Sequence, residues 1–327
     1  MDHEIILLAD PKGKVWEFTK KVYERIQELE NALLYDPKRC YSLGGVEIIK
    51  FNDGEIFTRI DKSVRGNTCF YFHDSSLDPQ DWLVSLLFVN DALRRSDAEK
   101  ITDVLPYMKY SRQDRMADPR TPISAGVAAR AIEVAKVKRV ITTDLHNPAT
   151  AGAYDIPFEN LKAYPVLIDH LKTNYADFLK DAVIVAPDVG GAQRANSYAK
   201  RLGLNVAIAH KSREKAGVVG EMKIIGDIKD KNILIVDDMI DTAGTLCKAA
   251  DILCQEGAKE VYACATHGIL SKDARQKIED SCLKKVIITD SIPQESNGKI
   301  EVVSLKNLFA DVIYRIAHKK SVSELYV

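Results

Sequence analysis

The chain has 327 residues, more than one hydrophobic core usually organises, so two domains are expected. Apolar residues make up 46% and charged residues 28%, which is the balance of an ordinary folded protein and excludes a disordered one. Lys and Arg total 46 against 47 Asp and Glu, so the chain lacks the global basic field on which non-specific nucleic-acid binding relies, and any recognition of phosphate has to be local.

The six cysteines (Cys40, Cys69, Cys247, Cys254, Cys264 and Cys282) show neither a CxxC pair nor zinc-ligand spacing, and read as small core residues in a reducing compartment. The opening MDHEIILLAD fits neither a secretory signal nor a mitochondrial targeting helix, and no apolar run reaches the length of a membrane span. A cytoplasmic protein is expected, with neither nucleic acid nor membrane as partner.

In chain order, Ile5 to Leu8 reads as a strand, followed by a helix from about Val15 to Leu34 with apolar positions at Phe18, Val22, Ile26, Leu29 and Leu33. Tyr35 to Leu43 reads as a loop, and Val46 to Phe51 as a strand ending in the acidic turn Asn52-Asp53-Gly54-Glu55. A strand at Thr68 to Phe72, a helix at Trp82 to Leu93 and a strand from Ile101 towards Tyr107 lead to the arginine-rich loop KYSRQDRMADPRTP. Ser124 or Thr121 is expected to cap the helix AGVAARAIEVA, after which Arg139 to Thr143 is a strand running into Asp144-Leu145-His146. A helix at about Val166 to Leu179, the strand AVIVAPD, the turn Gly190-Gly191, the helix AQRANSYAKRL and the strand VAIAH follow. Then come the charged segment KSREKAGVVGEMK, the strand Ile233 to Val236, the helix LCKAADIL, the strand VYACATHG, the helix SKDARQKIED, the strand VIITD and a last helix near Leu305 to Ala317. Such alternation argues for parallel sheets with helices on both faces.

The run AG, helix, strand, His occurs at Ala125-Gly126 to His146 and again at Ala243-Gly244 to His267, which points to two related α/β halves. The boundary is expected at Tyr164-Pro165, giving domains 1–164 and 165–327, with the last helix able to pack back on the first half.

The chemistry gathers at strand ends, where ligands of open α/β sheets bind. Ile233 to Val236 runs into Asp237 and Asp238, then into Asp241-Thr242-Ala243-Gly244-Thr245 at the start of a helix. Small residues, two hydroxyls and a helix N-terminus suit a phosphate, whereas carboxylates repel phosphate and suit vicinal hydroxyls or a metal. Together they suggest a phosphorylated pentose. Asp188 in PDVGG reads equally as a helix cap or a ligand, and His146 as a structural side chain or a metal ligand. Without a G-x-x-x-x-G-K-[ST] sequence, a bound nucleotide would be held by arginines instead of a P-loop.

Six motifs in order carry a family resemblance: FNDGE at 51–55, YSRQD at 110–114, DLH at 144–146, PDVGG at 187–191, HKSR at 210–213 and VDDMIDTAGT at 236–245. Over nearly its whole length the chain resembles the ribose-phosphate diphosphokinases, also called phosphoribosyl pyrophosphate synthetases. The resemblance implies an α/β fold of two tandem phosphoribosyltransferase-like domains, each a mainly parallel sheet flanked by helices. It implies transfer of the diphosphoryl group of Mg-ATP to the 1-hydroxyl of ribose 5-phosphate. Asp237 and Asp238 would hold the ribose hydroxyls, and Asp241, Thr242, Ala243, Gly244 and Thr245 the 5-phosphate. His146 and Asp188 would bind Mg2+, and Arg112, Gln113 and Asp114 would contact ATP. Phe51, Asp53, Gly54 and Glu55 would reach the adenine of a neighbouring subunit, which implies a homo-oligomer, hexameric or dimer-based. Lys211 and Arg213 would close over the transferring group as the catalytic cations.

Two stretches depart from the family pattern. NPATAGAY at 147–154 stands where the family carries a stretch like ASQIQGFF beside its regulatory site, and Tyr35 to Gly44 reads as an insertion before FNDGE. A phosphoribosyltransferase would share the loop at 236–245 without needing YSRQD, DLH and FNDGE together. A catalytically silent subunit would be expected to lack parts of the lid or loop, and this chain retains Lys211, Arg213 and DDMIDTAGT.

Overall fold

The structure is a computed structural model that describes residues 3–32, 39–211 and 222–326. The chain divides into two compact units, one of Met1–Lys162 with Ser291–Pro293 and Leu305–Val327, the other of Ala163–Asp290 with Gln294–Ser304.

The N-terminal unit holds seven strands: β1 (His3–Ala9), β2 (Arg39–Lys50), β3 (Ile56–Ile60), β4 (Thr68–Phe72), β5 (Lys100–Leu105), β6 (Arg139–Thr143) and β7 (Phe158–Leu161). They lie in the order β3-β2-β1-β4-β5-β6-β7, parallel throughout except for the β2–β3 hairpin. Ile6, Leu7, Leu8 and Ala9 are all fully buried, because a central parallel strand is covered on both faces and so takes a continuous apolar run. Helices α1 (Trp16–Ala32), α2 (Pro79–Arg95) and α3 (Ser124–Val134) connect the strands. The helix Lys306–Ala317 near the C-terminus belongs to the same unit, with the Phe309 ring meeting Phe18 of α1 edge-on at 5.5 Å.

The second unit begins with α4 (Tyr164–Asn174) and α5 (Ala176–Leu179). Its strands are β8 (Ala182–Ala186), β9 (Asn205–Lys211), β10 (Met222–Ile225), β11 (Asn232–Ile240), β12 (Glu260–Gly268), β13 (Lys285–Thr289) and β14 (Ile300–Val303), in the order β10-β9-β8-β11-β12-β13-β14. Here too one hairpin, β9–β10, is antiparallel and the other pairings are parallel. The helices are α6 (Ala192–Leu202), α7 (Gly244–Gln255) and α8 (Ala274–Asp280); Lys306–Ala317 is α9.

The two sheets have one topology, so β1 corresponds to β8 and β4 to β11. This corrects the repeat read from the sequence. Matching Ala125-Gly126 with Ala243-Gly244 pairs α3 with α7, whereas the strand order pairs α7 with α2 and α3 with α8. The shared AG at the start of a helix reflects the small residues any tight helix entry favours, and it misplaces the alignment by one βα unit.

Other expectations change in detail. Arg39 to Leu43 is strand, not loop, and pairs in parallel with β1, while residues 33–38 lie outside those described. Strands β3, β7, β10 and β14 carry four or five residues each and escape a periodicity reading. Neither proposed side chain caps α3: Ser124 is its first residue and donates to Gln113 Oε1 at 2.6 Å, and Thr121 donates to the Asp118 carbonyl at 2.7 Å. All six cysteines are free thiols, but only Cys69 and Cys264 are buried.

Candidate active site

Strand β11 carries Asp237 and Asp238 within its length, not beyond its end as the run of aliphatic residues suggests. Asp238 is 5% exposed and Asp237 is half-buried. The Asp238 backbone N–H donates to Asp237 Oδ1 at 2.8 Å, which turns that carboxylate back along the strand. Burial, reinforced by the neighbouring Asp238 carboxyl, raises the Asp237 pKa, while the Arg194 guanidinium opposes the rise.

The loop that follows has an unusual backbone. Ala243, the residue before α7, is left-handed at φ 58 and ψ 0, a conformation unfavourable for a residue with a Cβ. Backbone turned in this way, entering a helix whose first N–H groups lack intrahelical acceptors, forms a concave donor surface. Gly244 and Thr245 are exposed there, and Thr242 is half-buried. Asp241 braces the loop from the side: its Oδ1 accepts the Ser271 hydroxyl at 2.5 Å and its carbonyl accepts the Ser271 N–H at 3.0 Å. Ile240 makes a second anchor, its carbonyl accepting the N–H groups of Ile269 and Leu270. In the same unit, Asp188 lies exposed after β8, with Oδ1 accepting the Gly191 N–H at 2.9 Å in the manner of a turn cap.

In the N-terminal unit, the loops after β5 and β6 form a cleft of about 550 Å3 that brings Arg112, Gln113, Asp114 and His146 together. Its walls are tied by side chains. Gln113 accepts from Ser124 at the head of α3, and Asn147 Nδ2 donates to Asp114 Oδ2 at 2.5 Å. Asn147 also accepts the Ala149 N–H at 3.0 Å, so NPATAGAY forms a short 3-10 turn over Pro148–Ala153. Asn160 holds the His146 loop by accepting the Leu145 N–H at 3.0 Å.

FNDGE is the tip of the β2–β3 hairpin and does not line that cleft. Phe51 donates its N–H to the Glu55 carbonyl at 2.8 Å, Gly54 sits at φ 94, and Asp53 accepts the Glu55 N–H at 3.1 Å. The tip is open to solvent, with Phe51 51% and Phe57 44% exposed. Of the two cations expected to close over the site, Arg213 and the Lys211 side chain lie outside the described residues. Arg194, Ser271, Asn147 and Asn160 belong to these sites although the motifs did not single them out.

Comparison with known proteins gives this geometry its context. The N-terminal domain of ribose phosphate pyrophosphokinase matches residues 17–135, and the phosphoribosyl synthetase-associated domain matches residues 212–327. A ribose-phosphate pyrophosphokinase of Campylobacter jejuni subsp. jejuni is 45% identical over 308 residues, covering 94% of this chain and 99% of that protein. The chain belongs to the ribose-phosphate pyrophosphokinase family. A second relative so named, from Helicobacter hepaticus, is 44% identical over 87% of this chain and 92% of its own length. The crystal structure of a phosphoribosylpyrophosphate synthetase from Mycobacterium smegmatis superposes with a TM-score of 0.85 at 32% identity, covering 97% of this chain and 99% of that one. The protein is thus an enzyme of the ribose-phosphate pyrophosphokinase family, with two tandem phosphoribosyltransferase-like domains. Among the described residues, no helix is long and apolar enough to cross a membrane.

Proposed function

We propose that the enzyme transfers the β,γ-diphosphoryl group of ATP to the 1-hydroxyl of ribose 5-phosphate, yielding 5-phosphoribosyl 1-diphosphate and AMP for nucleotide biosynthesis. The observation that carries this reading is the Asp237–Asp238 pair set directly before the left-handed Ala243 loop. Acceptors for a diol adjoin donors for a phosphate, and the two chemistries together describe a phosphorylated pentose.

In this reading Thr242, Gly244 and Thr245 bind the 5-phosphate through backbone N–H and hydroxyl groups, and Asp237 and Asp238 accept the sugar hydroxyls. Asp241 stays turned to Ser271, which keeps its charge away from the phosphate while fixing the loop. Arg112 and Gln113 orient the nucleotide in the cleft they share with His146. The exposed hairpin tip with Phe51, Asp53, Gly54 and Glu55 suits adenine bound by a neighbouring subunit of a homo-oligomer, since exposed aromatic rings mark contact surfaces. Lys211 and Arg213 act on the charge that develops at the transferring group. Six free thiols accord with a cytoplasmic setting.

Magnesium fits the donor set in a particular way. No group of three or more His, Cys, Asp or Glu that could hold a metal ion occurs among the described residues. Magnesium commonly takes one or two protein donors and completes its shell with water and substrate phosphates. His146 in the N-terminal unit and Asp188 in the second unit would each be such a donor. When bound, the ion would neutralise charge on the triphosphate.

The test is AMP formation measured with both substrates and with each omitted. Activity requiring ATP and ribose 5-phosphate together supports the assignment. ATP cleavage indifferent to the sugar rules it out.

A further inference from the structure

Arg194 lies in the first turn of α6, the end of a helix at which the dipole disfavours a cation. Its guanidinium leaves the helix and spans the two acids of β11: Nη1 is 3.3 Å from Asp237 Oδ1 and Nη2 is 3.6 Å from Asp238 Oδ1. The Arg194 side chain is 27% exposed and that of Asp238 only 6%, so water screens this contact weakly. The planar fork matters, because one group with two nitrogens meets two carboxylates at once, as a lysine ammonium could not.

Asp237 and Asp238 need such a partner. The two acids are adjacent in β11, both meet one guanidinium, and like charges so close do not both stay ionised without a cation nearby. A shared proton would convert one acceptor into a donor and turn an oxygen away from the sugar. We propose that Arg194 is the positioning residue of the sugar subsite, pinning Asp237 and Asp238 in one geometry as a pair of carboxylates able to accept hydroxyl hydrogens. This inference rests on the proposed pentose reading of the same pair.

The experiment compares wild type, Arg194→Met and Arg194→Lys in steady-state AMP formation, varying each substrate with the other saturating. For Arg194→Met, KM for ribose 5-phosphate should rise about tenfold or more, the effect of losing a charge-assisted contact. KM for ATP should stay within about twofold and turnover at saturating sugar should fall less than the KM rises. Arg194→Lys should recover part of the loss, because a point charge restores attraction without the fork. An unchanged sugar KM in Arg194→Met overturns the proposal. So does a uniform loss, in which both KM values and turnover worsen together with thermal stability and Lys gives no rescue, because that pattern marks a strut between α6 and β11. If the Met variant fails to fold, the Lys variant decides alone, and a sugar KM equal to wild type overturns the proposal. Absence of sugar-dependent AMP formation in wild type would instead sink the functional reading beneath it, so the two failures are distinct.

Discussion

Asp74 ties together the turns after β1 and β4 in the N-terminal unit: its Oδ2 accepts the Lys14 backbone N–H at 2.6 Å, and its Oδ1 accepts that of Ser76 at 2.8 Å. Since β1 and β4 stand where β8 and β11 stand in the other unit, the turn after β1 corresponds to PDVGG and the turn after β4 to the loop after Ile240. In the second unit the corresponding loop leaves Gly244 and Thr245 exposed, whereas in the N-terminal unit a carboxylate only 4% exposed joins the two turns. The carboxylate thus has a packing role there. Replacing Asp74 with Ala strands two backbone donors, and we expect a loss of about 3 kcal/mol in unfolding free energy. Urea unfolding of the variant checks this, and an unmoved midpoint contradicts it.

The contrast explains which features the sequence made legible. Motifs rich in Asp, Gly and Thr at strand ends were readable because few structural roles call for them, and β8, β11 and α6 were readable because burial on both faces or one leaves a clear period. Arg194 and Ser271 were not. Each acts through a residue distant in sequence, Arg194 on Asp237 and Ser271 on Asp241, and only the parallel pairing of β8 with β11 and β11 with β12 brings them together. The hairpin strands β3 and β10 were missed for another reason, as edge strands of five and four residues carry little apolar signal. The false repeat shows the same limit, since two small residues recur wherever a helix must start tightly.

Asp103 gives a prediction about pH. It is wholly buried in β5, receives one hydrogen bond from Asn90 Nδ2 at 2.9 Å, and keeps Oδ1 without a partner. Burial pushes its carboxyl up to about 8, against the lowering effect of Asn90. The folded chain therefore holds a proton that the unfolded chain releases near pH 4. The stability this confers is complete below that pH, and it drains by at most about 1.4 kcal/mol per pH unit until the folded group also ionises. Asp103→Asn keeps the acceptor for Asn90 and removes the proton. Urea denaturation at pH 6, 7 and 8 should show the variant gaining on wild type as pH rises, and parallel curves would refute the linkage.

Ala243 tests the cost of the anion loop. Left-handed backbone at a residue with a Cβ is strained by about 1–2 kcal/mol, and glycine relieves it while adding freedom to the unfolded chain. Ala243→Gly should therefore gain only about 0.5 kcal/mol in stability, with the sugar KM raised a few-fold because the loop is less fixed. Ala243→Val should behave in the opposite way. The site is 3% exposed and a β-branched residue resists positive φ, so a loss of about 2 kcal/mol or more and failure to bind ribose 5-phosphate are expected. Thermal melting and a sugar titration distinguish the two, and equal behaviour would deny that this backbone conformation matters.

Lys211 is the point at which turnover should separate from binding. It ends β9, where its backbone pairs with Met222 in an antiparallel ladder, so an alanine there leaves the strand able to pair. In the proposed reaction the protein does little covalent work, and the barrier falls through alignment and through cations near the phosphoryl oxygens that gain charge. A cation acting mainly on that developing charge contributes little to holding ATP beforehand. Lys211→Ala is expected to keep ATP affinity within a few-fold by equilibrium binding while turnover drops by about two to three orders of magnitude. Turnover near that of wild type would remove Lys211 from the catalytic step, and an equal loss in ATP affinity would make it a binding residue instead.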